Sequence, residues 1–256
     1  MMEYRKLDFT LIMPTLNEIE GLKHILPQID RSLFKEIIVV DGRSTDGTIE
    51  YCTDQGLTVL IQPGRGIPDA EVHAYNHATG DIIIIFTPDG NSLPNLLPTL
   101  CQKMYEGYDM IVASRYIEDA RSEDDDILTA IGNKLFTLMV NLLFKANYTD
   151  ALVGLRAYRR DAIEKMNLPK ISSESSLRAR YFYMNSWELG SSIRSARLKL
   201  NVLEIPGDEP MRIGGKRKLS IIKNGLGGLV QVLSDFFFFR GHIRKSSESR
   251  DTNTIK

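Results

Sequence analysis

Carboxylates and guanidinium groups recur along this chain just after short apolar runs. Asn17 and Glu18 follow Leu11-Ile-Met-Pro14-Thr15-Leu16, and Asp41 closes Ile37-Ile-Val-Val40. Thr87-Pro-Asp89-Gly-Asn91 follows four isoleucines and Phe86, and Ser114-Arg115-Tyr116 ends a fourth run. A carboxylate placed after a fully apolar strand must meet solvent or accept hydrogen bonds from a ligand or from nearby amides. Hard divalent cations such as Mg or Mn prefer carboxylate and phosphate oxygens, which makes Asp89 the best metal ligand; the Asn91 amide oxygen adds a second without charge. Planar guanidinium groups suit bidentate phosphate recognition, so Arg115, Arg156 and Arg212 are candidate anion contacts. Arg65, between Gly64 and Gly66, is another. Each motif also has a plain reading: Asn17 and Glu18 as helix caps, Pro88-Asp-Gly90 as a reverse turn, each arginine as a solvated surface charge.

The elements that must carry these residues alternate. The pattern predicts strands at 9–13, 36–40, 58–62, 81–86 and 110–113, with helices at 19–29, 48–55, 68–78 and 94–105 between them. Such alternation implies an α/β domain with a mostly parallel central sheet and helices on both faces, whose sites lie at the carboxyl ends of the strands. Beyond Tyr116 come an acidic run at 118–126, read as a solvated loop and helix start, and a long apolar helix over 127–144. A strand at 153–158, a helix at 187–200 leading into a strand, and an apolar helix over 219–239 complete the series. Residues 1–218 are expected to form the main domain, 219–245 an amphipathic segment and 246–256 a disordered tail.

The order of these phrases resembles the family 2 glycosyltransferases of GT-A (Rossmann-like) fold, especially the branch of dolichyl-phosphate mannosyltransferase and related polyprenyl-phosphate sugar transferases. The resemblance covers roughly residues 8–220. It implies that Pro14, Thr15, Asn17 and Glu18 hold the nucleotide base, with Leu16 in place of the family's aromatic. It puts Asp41 on the base or ribose, with Gly42 where a second Asp is usual, and Arg65 in the Gly-Lys-Gly loop. Asp89 and Asn91 stand at the Asp-x-Asp motif, where Asn91 departs from the pattern. Arg115, Arg156, Arg212 and Lys218 match phrases that bind diphosphate or acceptor. Glu188 falls where hydroxyl-glycosylating relatives place a catalytic base, although an ionised phosphate acceptor needs none. The implied reaction is metal-assisted, inverting transfer of a sugar from a nucleotide diphosphate sugar to a polyprenyl or other lipid phosphate. The alternatives are transfer to a glycolipid or polysaccharide hydroxyl, and a non-catalytic nucleotide-binding or membrane-scaffold protein.

The bulk composition is compatible with this. With 256 residues, 43% of them hydrophobic, an ordinary core can form, and a net charge of −1 gives no global attraction to nucleic acid. Cys52 and Cys101 lack metal-ligand spacing, and the N-terminal residues do not read as a signal peptide, so the cytoplasm is the expected compartment. No uninterrupted apolar run long enough to span a bilayer is evident. In the last helix Asn224, Gly228, Gln231 and Asp235 recur at helical spacing opposite Leu226, Leu229, Leu233, Phe236 and Phe237, with basic clusters at 216–218 and 240–245. This pattern predicts peripheral seating on anionic lipid, on the cytoplasmic face of a membrane, or cover by the core or a second subunit in a homo-oligomer.

Overall fold

The computed structural model describes residues 6–168, 186–214 and 221–239. Seven strands form one sheet in the order β3-β2-β1-β4-β6-β5-β7. They are β1 (Phe9–Thr15), β2 (Glu36–Asp41), β3 (Thr58–Ile61), β4 (Ile82–Ile85), β5 (Met110–Ser114), β6 (Arg156–Arg159) and β7 (Val202–Pro206). β1 to β4 pair in parallel, as does β5 with β7. β6 is inserted antiparallel between β4 and β5, with Arg156 opposite both Ile85 and Val112. The largely parallel sheet expected from the alternation is thus interrupted by one reversed strand, which starts at the carboxyl end of β4.

Helices cover both faces because successive strand residues point to opposite sides. On one face Leu11, Met13, Ile37, Val39, Ile82 and Ile84 meet α1 (Ile19–Ile25), α2 (Thr48–Asp54) and α4 (Leu97–Tyr105). On the other, Ile12, Ile38, Val40, Ile83 and Ile85 meet α3 (Ile67–His77), α5 (Ile127–Phe144), α6 (Arg160–Lys165), α7 (Trp187–Leu198) and α8 (Ile221–Phe238). All four isoleucines of β4 are buried, each contributing about 1.5–3 kcal/mol relative to exposure. The first helix ends sooner than its periodicity suggests. Pro27 falls in a 3₁₀ turn at Leu26–Gln28, consistent with the constraint that proline places on a helix interior.

The α8 helix packs with its polar stripe inward. Gln231 and Asp235 are buried, whereas Leu226, Leu229, Leu233, Phe236 and Phe237 are exposed. Arg194 of α7 pairs with Asp235 at 2.9 Å, and the Gln231 amide bonds both the N–H (3.2 Å) and the carbonyl (3.0 Å) of Ser186. Gly228 lets the helix approach closely, since a Cβ there would stand 3.1 Å from the Phe136 ring. Beside it, α5 exposes Ile127, Leu128, Ile131, Leu135, Leu138 and Leu142 while burying Thr129, Thr137, Val140 and Phe144. By length and composition α5 would suffice to cross a bilayer, a candidate the sequence reading overlooked because Asn, Gly and Lys interrupt its apolar run. The basic clusters at 216–218 and 240–245, with Lys218, and the expected tail at 246–256 lie outside the described residues.

Candidate active site

The parallel register carries Thr15 beside Asp41 at the ends of β1 and β2. The Asp41 carboxylate is fully buried and accepts from Thr15 Oγ1 (2.9 Å), the Ser44 N–H (2.6 Å) and the Ser44 hydroxyl (2.6 Å). Pro14 is buried in β1, and Asn17, in the left-handed region at φ 52°, donates its N–H to Ser44 Oγ at 2.7 Å. Its side-chain oxygen accepts the Thr45 N–H at 2.8 Å. Glu18 is also buried, and Asp46 accepts the Ile19 N–H at the start of α1 and the Thr48 N–H at the start of α2. Pro14, Thr15, Asn17, Glu18 and Asp41 are thereby brought together on one rim, tied by the 44–48 turn. Leu16 is exposed above it, 3.4 Å from where a Gly42 Cβ would be.

The Gly64-Arg65-Gly66 loop is held from below by Asp69, in the first turn of α3. Asp69 is completely buried and accepts the Gly64 N–H at 2.8 Å; a Cβ at Gly64 would stand only 2.6 Å from its carboxylate oxygen. Arg65 itself is exposed. Asp69 was missed in the sequence, where an acid in the first turn of a helix reads as a dipole contact.

At the end of β4, Asp89 is engaged by Arg212, with Nη1 to Oδ2 at 2.6 Å. The turn that presents it needs Gly90 (φ 94°), whose Cβ would come within 2.7 Å of Ile213, and the Ile213 N–H bonds the Asp89 carbonyl at 2.7 Å. The Asn91 Nδ2 donates to the Pro210 carbonyl at 2.8 Å, which turns that amide so its oxygen is the end left for a ligand. Arg212 Nε is a buried donor with no partner. Among the described residues no group of three or more His, Cys, Asp or Glu side chains could hold a metal. The donor set here is one carboxylate and one amide, which suits a hard cation only if phosphate oxygens supply most of its ligands. The orphan Nε beside it is the donor such a phosphate would satisfy.

The other two arginines are neither solvated charges nor open anion contacts. Arg115 is buried and meets Asp150 with both Nε (2.7 Å) and Nη2 (3.1 Å), while Nη1 reaches Glu209 at 3.1 Å and lies 3.8 Å from Asp125. Burial opposes the charge of Arg115, yet Asp150 and Glu209 together raise its pKa above the usual value. Asp150 pays desolvation that would raise its own pKa, but Arg115 more than offsets it and holds the carboxyl below the ordinary range. Asp125 also contacts Tyr116 and Asn133, so this part of the acidic run is folded inward, contrary to the solvated loop expected. Asp126 does start the helix, accepting the Thr129 N–H at 2.7 Å.

Arg156 has no exposed surface. Its Nε donates to the Val153 carbonyl (2.7 Å), and Nη1 donates to the Glu188 carbonyl (2.9 Å), Ser191 Oγ (3.0 Å) and Ser192 Oγ (2.8 Å). The reversal of β6 explains this placement, because Arg156 enters the sheet between two strand ends and points under α7. Glu188, in the first turn of α7, is half-buried, and Ser186 donates its hydroxyl to the Glu188 carboxylate. Its carboxyl also meets Glu71 of α3, a residue the sequence reading passed over. The available signal was position: 71, 74, 75 and 78 form one helical stripe, otherwise Ala74, Tyr75 and Ala78.

A mixed sheet with its polar residues gathered at the carboxyl ends of parallel strands has the layout in which open α/β sheets carry their ligand sites. The chain belongs to glycosyl transferase family 2, whose profile matches residues 10–166. Curated relatives include glycosyltransferase AglJ of Haloferax volcanii, 28% identical over 62% of this chain and 52% of its own length. Another is undecaprenyl-phosphate mannosyltransferase of Micrococcus luteus, 25% identical over 86% of this chain and 88% of that protein. The chain spans about half the length of the first Haloferax and Pyrococcus relatives it matches. The GT-A fold is shared with glucosyl-3-phosphoglycerate synthase of Mycobacterium tuberculosis, solved with Mn2+, UDP and its product. That match has TM-score 0.62 and 18% identity, over 90% of this chain and 80% of that one.

Proposed function

We propose that this chain transfers a sugar from a nucleoside diphosphate sugar to a lipid phosphate at a membrane surface. The observation that carries the reading is the Asp89–Arg212 pair at the end of β4, with the unpartnered Nε of Arg212 beside it. The named relatives include polyprenyl-phosphate sugar transferases, and the similar synthase was solved with Mn2+ and UDP. The rim of Pro14, Thr15, Asn17, Glu18 and Asp41 takes the nucleoside, and the exposed Arg65 is the charge offered to its phosphates. Asp89 and Asn91 would hold Mg or Mn, which when bound supplies positive charge to the diphosphate.

In the unloaded protein Arg212 neutralises Asp89. On donor binding it turns to the diphosphate, and its guanidinium then stabilises the charge that develops there. The acceptor phosphate oxygen forms the new bond to the anomeric carbon as the bond to the diphosphate breaks, the electron pair leaving with the diphosphate. Inversion follows from this single displacement. Arg115 and Arg156 contribute by holding strand ends and α7 in place. The outward apolar faces of α5 and α8 supply the membrane contact, on the cytoplasmic side.

A second reading, transfer to a glycolipid hydroxyl, is favoured by one observation: Glu188, half-buried in the first turn of α7 and held by the Ser186 hydroxyl, offers a fixed carboxylate that could serve as a base. Turnover of nucleotide sugars with a polyprenyl phosphate, and with a glycolipid lacking phosphate, separates the two. Asp89→Ala should lower kcat by about 10²–10³-fold with either acceptor; full activity in that variant would remove Asp89 from the site.

A further inference from the structure

Glu71 is 1% exposed on a stripe where an apolar side chain would pack without cost. Its carboxyl contacts that of Glu188, and its Oε2 has no hydrogen-bond partner. Beneath them Arg156 is fully enclosed, with Nη2 likewise unpartnered although its Nε and Nη1 are fully engaged. Two carboxyls in contact inside a fold cannot both carry charge, and the more deeply buried one keeps the proton. Burial first, then the Glu188 charge, push the Glu71 carboxyl well above the ordinary range, with Arg156 pulling the other way. Three more titratable groups act on the cluster: the phenols of Tyr158 and Tyr148, both raised chiefly by burial and neutral, and Asp150, whose burial penalty is outweighed by Arg115 first, with Arg156 adding to it. Tyr75, next on the α3 stripe, gives its hydroxyl to Glu164 at 2.5 Å instead. With Asp150 already paired to Arg115, the cluster sets Arg156 against one of the two glutamates.

We propose that Glu71 is a positioning residue: as a neutral carboxylic acid it donates its proton in a hydrogen bond to the Glu188 carboxylate, which Ser186 grips as well, and so aims Glu188 at the acceptor. This rests on the second reading, transfer to a hydroxyl with Glu188 as the base, and assigns to α3 a role in a site otherwise built from β6 and α7. The geometry has a direct chemical consequence. An amide N–H can replace the acid O–H as donor, whereas an aliphatic side chain cannot.

The test compares Glu71→Gln with Glu71→Leu in the full chain with a glycolipid hydroxyl as acceptor; a wild type that glycosylates polyprenyl phosphate alone leaves Glu188 nothing to deprotonate and overturns the positioning role. Glu71→Gln should stay within about threefold of wild-type kcat, whereas Glu71→Leu should fall about 10²-fold, the size of a misplacement of about 1 Å. The KM for the nucleotide sugar should be unchanged in both. Independently, the ligand-free wild type should show the infrared carbonyl band of a protonated carboxyl at neutral pH, and Glu71→Gln should lose it. Wild-type kcat in Glu71→Leu, or equal damage in both variants, overturns the positioning role. Absence of the band overturns the protonation. If Glu71→Leu does not fold, the band and the Glu71→Gln kinetics still decide. A chain that shows the band but transfers no sugar to either acceptor keeps the protonated Glu71 and sinks the transferase reading instead.

Discussion

Helices α4 and α8 are both amphipathic and lie on opposite sides of the sheet, yet they face it in opposite senses. α4 buries Leu97, Leu100, Cys101 and Met104 and leaves polar groups such as Gln102 in water. α8 buries Gln231 and Asp235 alongside Val232 and turns Leu226, Leu229, Leu233 and Phe237 outward. The hydrophobic effect accounts for α4 outright. It cannot account for α8, which is fastened by charge-assisted contacts, Arg194 to Asp235 and Arg197 to the Asp235 (2.7 Å) and Phe236 (2.9 Å) carbonyls, and by the neutral amide bond of Gln231 to Ser186. Apolar burial and outward apolar surface are thus separated onto different helices, and the second kind adjoins the equally outward α5. Contiguous exposed apolar area of this kind is what membrane or partner contacts use.

The largest expected effect tests whether buried charge is as firmly structural as the α4 core. Arg115→Ala leaves Asp150 enclosed without its counter-charge and should cost about 3–5 kcal/mol in urea unfolding; a loss under about 1 kcal/mol would mean that solvent reaches the cluster. Because Asp150 sits below the ordinary carboxylate range when folded, its contribution is present above that range and is lost as pH falls through its folded value.

The helix comparison itself breaks or holds on two truncations. Leu100→Ala should cost about 2–5 kcal/mol, whereas Leu233→Ala should stay within about 0.5 kcal/mol. Equal costs would show that the α8 face is covered in solution, by a second copy or another segment. The membrane reading is sharpened by Leu226→Ser combined with Leu233→Ser. Sedimentation with anionic vesicles should drop about tenfold, with unfolding nearly unchanged, and salt should weaken the wild type. Retention of binding would move the contact to α5 alone.

The smallest effect is a pH difference. Glu71 binds its proton more tightly in the folded than in the unfolded chain, so its stabilising contribution is full below the ordinary carboxylate range. It is lost as pH rises through the folded value. Glu71→Gln should therefore gain on wild type in thermal stability as pH is raised; parallel curves would mean that Glu71 is ionised already.

Much of this was legible in the residues alone. Short continuous apolar runs placed β1 to β5 within a residue or two, and those strand ends predicted where Thr15, Asp41, Asp89 and Ser114 would emerge, because a parallel sheet delivers the residue after each strand to one edge. The family followed from the same ordered phrases. Three things were decided only by tertiary structure. β6 runs against its neighbours, and that reversal draws Arg156 beneath α7 where a surface anion contact had been expected. Arg115 is consumed by Asp150 and Glu209, partners 35 and 94 residues away, so its type and local setting could not reveal its burial. The periodicity of α8 specified two faces without specifying which one turns inward. That choice was made by Arg194 of α7 and by Ser186 just before it, since a local pattern records that a helix has an apolar side but not what the rest of the fold offers to each side.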